Sequence, residues 1–145
     1  MEFKDIAAVS GKGGLFKILK PTKSGVILES LDDKKARLVA TVHNKISVLE
    51  EISIYTHTSE GTTPLKEVFY SIQDEFGDDT GLDKNSDSDE LKSFFSHILS
   101  DYDEEKVYVS DIRKMVTWYN VLVKEVPELL KRPAKKKDEP AKKKG

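Results

Sequence analysis

The stretch Ser47-Val48-Leu49-Glu50-Glu51-Ile52-Ser53-Ile54-Tyr55-Thr56 decides how the first third of this chain is read. Ser47 to Glu51 is too short for a stable helix but suits a single 3₁₀ turn. Ile52 to Thr56 is rich in the β-branched and aromatic side chains that favour a strand. One tight turn feeding a last strand is how a small antiparallel barrel ends, and the upstream residues supply the other strands. Gly14 to Lys20 reads as a strand closed by Pro21 and the turn pair Ser24-Gly25, and Val26 to Leu31 reads as a second. After the polar turn Asp32-Asp33-Lys34-Lys35, Arg37 to Val42 sets Leu38, Ala40 and Val42 against Arg37, Val39 and Thr41, the period of two expected of a half-buried third strand. Short strands and tight turns lead to the expectation of an SH3-like β-barrel over residues 1–57. A body of ~60 residues buries only about 60% of its unfolded surface, so the rest of the chain is expected to pack against it.

That remainder reads as helical over residues 58–130. Thr63 and Pro64 suit a capping residue and a first helical proline, followed by Leu65, Val68, Phe69, Ile72 and Phe76 on one face until Gly77. Ser88 or Asp89 caps a second helix with an apolar stripe of Leu91, Phe94, Phe95, Ile98 and Leu99. Ser110 caps a third, in which Ile112, Met115, Val116, Tyr119, Leu122, Val123 and Val126 share a face before Pro127. From Lys131 the lysine triplets and prolines of residues 131–145 leave nothing apolar to bury, so a disordered basic tail is expected. The fold class is therefore α+β, a small barrel followed by a three-helix domain.

The 145 residues are 37% hydrophobic and 34% charged, enough for a core beneath a heavily charged surface. The absence of cysteine excludes disulfides, thiolate chemistry and iron–sulfur clusters, and points to a reducing cytoplasm. No stretch approaches the ~20 apolar residues of a membrane helix, and Glu2 and Asp5 do not fit the basic start of an export leader. The net charge of −2 hides a segregation. Residues 1–57 carry nine Lys/Arg against seven Asp/Glu, residues 58–130 seven against seventeen, and residues 131–145 eight against two, or +2, −10 and +6.

Motif tests remove most specific chemistries. Ser10-Gly11-Lys12-Gly13-Gly14 is glycine-rich, but it leads into a strand and lacks the Gly-Lys-Ser/Thr ending of a phosphate loop. Asp83, Asn85 and Asp87 alternate like calcium ligands, yet the sixth position is Ser88 and the twelfth Phe94, where glycine and glutamate are needed. Asp101, Asp103 and Glu105 fail the same test at Lys106 and Ile112. His97 and Asp101 are two ligands at most, too few for a metal site, and no serine, histidine and acid cluster is visible. No catalytic residue, metal or cofactor is expected. Phe94, Phe95 and Tyr119 fall at core spacing, whereas Trp118 and Tyr70 project further round their helices and are expected to be exposed.

What remains is electrostatic. Lys12, Lys17, Lys20, Lys34, Lys35 and Arg37 of the first module, with Lys135, Lys136, Lys137, Lys142, Lys143 and Lys144 of the tail, are candidate phosphate contacts. The expected partner is RNA or another polyanion bound without catalysis. The alternative is a protein-interaction adaptor using the acidic helical face or a barrel groove, and the tail has the chain's own acidic half as a competing partner.

Several stretches together resemble an uncharacterised family of short Bacteroidetes proteins. They are Ser10 to Leu19, Gly25 to Asp33, Ser47 to Thr56, Thr63 to Phe69 and Val107 to Leu122. The resemblance implies an SH3-like N-terminal domain followed by a separate helical domain, with no established activity and no assigned catalytic residues. It also implies proline at position 13, where this chain has Gly13.

Overall fold

The computed structural model describes residues 1–132, so the tail lysines Lys135, Lys136, Lys137, Lys142, Lys143 and Lys144 lie outside the described residues. The strands expected from the bounding turns and from the alternation of Arg37 to Val42 form, and further ones join them. A 3₁₀ turn at Phe3–Asp5 leads into β1 (Ile6–Val9), followed by β2 (Phe16–Pro21), β3 (Gly25–Ser30), β4 (Arg37–Thr41) and β5 (Ile46–Val48). They make one antiparallel sheet in the order β4-β3-β2-β1-β5. One face of this sheet buries Val9, Phe16, Leu28 and Ala40, with Ile18, Val26, Leu38 and Ile46 around them.

The 3₁₀ turn read from Leu49 and its neighbours forms at Leu49–Glu51, and the strand after it, β6, spans Ser53–Tyr55. Its pairing differs from the expectation. β6 leaves the sheet and pairs with β7 (Thr62–Pro64), a strand that had been read as the start of a helix. With β6 committed elsewhere, no strand among the described residues joins β4 to β5, so where the sequence leads to an SH3-like barrel the sheet is open and not a closed barrel. The architecture is α+β.

Three helices follow: α1 (Leu65–Phe76), α2 (Ser88–Ile98) and α3 (Val109–Glu125), with a 3₁₀ turn at Pro127–Leu130. Each end has a local cause. Gly77 takes φ 68° to stop α1. Asp87, one residue before the expected cap, accepts from the Asp89 N–H, and Glu90 accepts in return from the Asp87 N–H. The Asp111 carboxylate accepts from the Tyr108 N–H at 2.9 Å at the start of α3.

The apolar stripes of the helices meet the far side of β1. Phe3, Ile6, Leu15, Leu31 and Leu49 share a single buried cluster with Leu65, Phe69, Ile72, Leu91, Phe95, Ile112, Tyr119 and Leu122. The helical half is thus packed on the sheet through one core. Tyr70, expected to be exposed, is buried at 7%. Its ring lies 6.1 Å from Phe3 and is covered by the Arg132 guanidinium at 5.2 Å, which also binds Glu67 and Asp74.

Candidate functional site

The glycine-rich stretch Ser10–Gly14 is the turn between β1 and β2. Gly11 and Gly14 adopt φ of 83° and 76°, values that side chains disfavour, which explains glycine at both. Gly13 has no such requirement, and a Cβ there would meet nothing within 4 Å. The Lys12 N–H donates to the Val9 carbonyl, and the Ser10 N–H donates to the Lys45 carbonyl at 2.9 Å, which holds the entrance to β5 beside the turn.

Across from this turn stands α3. Ser110, Arg113, Lys114, Thr117 and Trp118 recur at intervals of three and four, so they share one helical face opposite the apolar stripe. Arg113 also gathers a further segment, because its Nη1 donates to the carbonyls of Lys84 and Ser86, both at 2.8 Å. The result is a cleft of about 740 Å³ lined by the glycine turn, Lys45, Lys84 and that face of α3. Among the described residues, Lys12, Lys45, Lys84, Arg113 and Lys114 bring five cations to it from four segments, and no carboxylate lines it.

The structure distributes the other expected cations elsewhere. Lys17 and Arg37 stand on either side of Glu29 in the ladder, with Arg37 Nε 3.9 Å from the carboxylate, so an acid separates them. Lys20 lies past the irregularity between Ile18 and Lys20, opposite Ile27. Lys34 and Lys35 sit in the β3–β4 turn, where Asp32 accepts both of their N–H groups. The Ser30 hydroxyl, with those N–H groups, holds the Asp32 carboxyl below its usual value. Of the six cations named in the first module, Lys12 alone lines the cleft. Arg113 and Lys114 had a sequence signal, the polar i, i+3, i+4 face of α3. Lys45 and Lys84 had none.

The acidic loops are occupied with their own backbones. Asp83 Oδ1 accepts from the Asn85 N–H and Asp103 Oδ1 from the Glu105 N–H, as short aspartate turns do. His97 pairs with Glu75 at 3.1 Å. Among the described residues no three His, Asp or Glu side chains converge as metal ligands, and no helix is long and apolar enough to cross a membrane.

Two family models match the sequence, each described as a domain of unknown function: DUF5606 over residues 3–49 and DUF6852 over residues 52–122. A solution NMR structure of a Bacteroides vulgatus protein, a Northeast Structural Genomics Consortium target, is 33% identical, with a TM-score of 0.69. The match covers 85% of this chain and 87% of that one. The chain belongs to the family of that Bacteroides vulgatus protein. In this member, the junction between the two matched regions falls at the 3₁₀ turn Leu49–Glu51, where the core passes from the sheet to the helices. No curated protein matches the sequence.

Proposed function

We propose that this protein is a non-enzymatic binder of single-stranded nucleic acid, RNA before DNA, and that the cleft between the glycine turn and α3 receives the phosphate backbone. The observation that supports this is the sign of the lining: among the described residues, five cations and no acid, in a chain whose net charge is −2. Cations gathered in a concave surface focus the field, and neutralising phosphates there releases counterions. A cleft bounded by one turn and one helix face suits a strand rather than a duplex, and strands with unstacked bases are how RNA is most often read by sequence. Among the described residues its lining offers hydroxyls and cations, the groups that hold phosphate oxygens. The five-stranded sheet, open between β4 and β5, is proposed to be an opened relative of an SH3-like barrel.

The test is a titration of a short single-stranded RNA into the full chain at low salt, repeated with Lys12→Glu and Lys114→Glu combined. Both residues are exposed and neither makes a side-chain ion pair among the described residues. Affinity should collapse in the variant. Equal binding by parent and variant would move the contact out of the cleft, and no binding by the parent would end the proposal.

The adaptor reading is supported by a different feature, the free edge of β4, where Val39 is 53% exposed beside Val42 at 86%. Partners held there would survive both nuclease treatment and removal of residues 133–145.

A further inference from the structure

Beside the cationic cleft, and sharing Ile52, Lys114 and Trp118 with it, lies a second hollow of about 250 Å³. Its lining is different in kind. Alternation along β6 buries Ile54 and turns Tyr55 outward, leaving it 51% exposed. α3 supplies Met115 and Trp118 to the hollow, and Val107 adds a further apolar side chain. Trp118 is half-buried and Met115 buried, so that side is rigid, whereas core packing gives no reason for a tyrosine at position 55.

Ser53, Lys106, Asp111 and the shared Lys114 add polar groups to the lining. The Lys106 amino group stands 5.1 Å from the centre of the Tyr55 ring. Asp111 supplies the hollow's one carboxylate among the described residues. Its Oδ2 accepts from the Tyr108 N–H, and its Oδ1 has no hydrogen-bond partner among the described residues.

We infer that this hollow is a base-binding subsite, taking one nucleobase of a single-stranded RNA whose phosphates lie in the adjoining cleft. The inference rests on the function proposed above and deepens it. Pockets for drug-sized ligands occupy about 300–1,000 Å³, so this one is scaled to a single planar ring system. Tyr55 and Trp118 offer aromatic faces on which any base can stack. The free oxygen of Asp111 accepts hydrogen bonds but cannot donate them, so it favours a base that carries an exocyclic amino group, as cytosine, adenine and guanine do and uracil does not. Uracil has no exocyclic amino group, and its single donor on that edge, N3–H, is flanked by two carbonyl oxygens that a carboxylate repels, so it is the weaker partner. A base paired in a duplex cannot turn into the hollow. The site therefore selects single strands, and among them cytosine or adenine over uracil.

The experiment uses the full chain with four probes: short oligo-C, oligo-A and oligo-U RNAs, and inorganic polyphosphate as a backbone without bases. Oligo-C and oligo-A should bind more tightly than oligo-U. Tyr55→Ala should weaken oligo-C and oligo-A about tenfold, within the range for loss of one stacked base, while leaving polyphosphate affinity unchanged. Asp111→Asn keeps an acceptor for the Tyr108 N–H and should narrow the gap between oligo-C and oligo-U. Unchanged Trp118 fluorescence and helical content would show that both variants keep the fold. Should every probe bind and Tyr55→Ala weaken none of the RNAs, the base subsite is overturned while the phosphate cleft stands. A parent protein that binds neither RNA nor polyphosphate overturns both.

Discussion

Removing the Phe3 ring should destabilise the helices as much as the sheet. Phe3 lies in the 3₁₀ turn before β1, is 4% exposed, and has its ring centre 6.1 Å from those of Phe69 and Tyr70 on α1. A buried Phe→Ala change costs ~3–5 kcal/mol, a large share of the ~5–15 kcal/mol that holds a protein of this size together. With a urea dependence of ~2 kcal/mol per molar, the unfolding midpoint should fall by about 2 M. Trp118 is the chain's one tryptophan and sits on α3, so its fluorescence follows the helices, while amide exchange at Leu28 follows the sheet. Both signals should move together, because the cluster holding Phe3, Ile6, Leu15, Leu31 and Leu49 also holds the helix stripes. If Phe3→Ala shifts the sheet reporter and leaves the Trp118 midpoint where it was, the two halves are energetically independent and the shared-core argument is wrong.

RNA affinity should fall steeply with salt. Neutralising about five phosphates gives a slope near −3.5 in log affinity against log salt, roughly a hundredfold between ~50 and ~200 mM, and Lys12→Gln with Lys114→Gln should flatten it by about 1.4. An equal slope in parent and variant would place the contacts elsewhere. Gly25→Ala should separate β3 from β4, since its Cβ would lie 1.8 Å from the Ala40 carbonyl oxygen. A loss of at least ~1–3 kcal/mol is expected in a thermal melt, and an unchanged melting temperature would contradict the register. Burial pushes the Tyr119 hydroxyl up to about 12, and burial raises Tyr70 and Tyr102 as well. The fold therefore keeps protons that the unfolded chain releases near pH ~10. Stability should be complete below that pH and decline as pH rises toward 12. Tyr119→Phe should reduce this decline, at the cost of the hydrogen bond to the Gly77 carbonyl, and urea midpoints across the alkaline range measure both effects.

The elements that were legible beforehand are those whose own spacing carries the signal. β4 alternates along its five residues, β2 and β3 are short apolar runs bounded by glycine and proline turns, and the helices repeat apolar side chains at intervals of three and four. β1 was read only as an opening. It is four residues long, Ile6-Ala7-Ala8-Val9, and lies between β2 and β5, with Ile6, Ala7 and Val9 buried and no polar alternation to betray it. β7 was missed because Thr63-Pro64 suits a helix start as well as a strand end, and its pairing with β6 is what left the sheet open. Tyr70 seemed exposed because its own helix says nothing about Phe3 or Arg132, which cover it from 67 and 62 positions away in the chain.

Periodicity and composition were enough by themselves to establish the α+β class, the three helices, the 3₁₀ turn at Leu49 and the uneven sorting of charge, because each depends on neighbours within a turn or a strand. The caps of α2 and α3 fell one or two residues from the expected Ser88 or Asp89 and Ser110, at Asp87 and Tyr108. Tertiary structure alone decided which cations meet. Lys12, Lys45, Lys84 and Arg113 are separated by some thirty to forty residues each. They converge because Ser10 bonds to Lys45 and Arg113 bonds to Lys84 across the fold. Contacts of that range depend on how whole elements pack, and no local pattern encodes them.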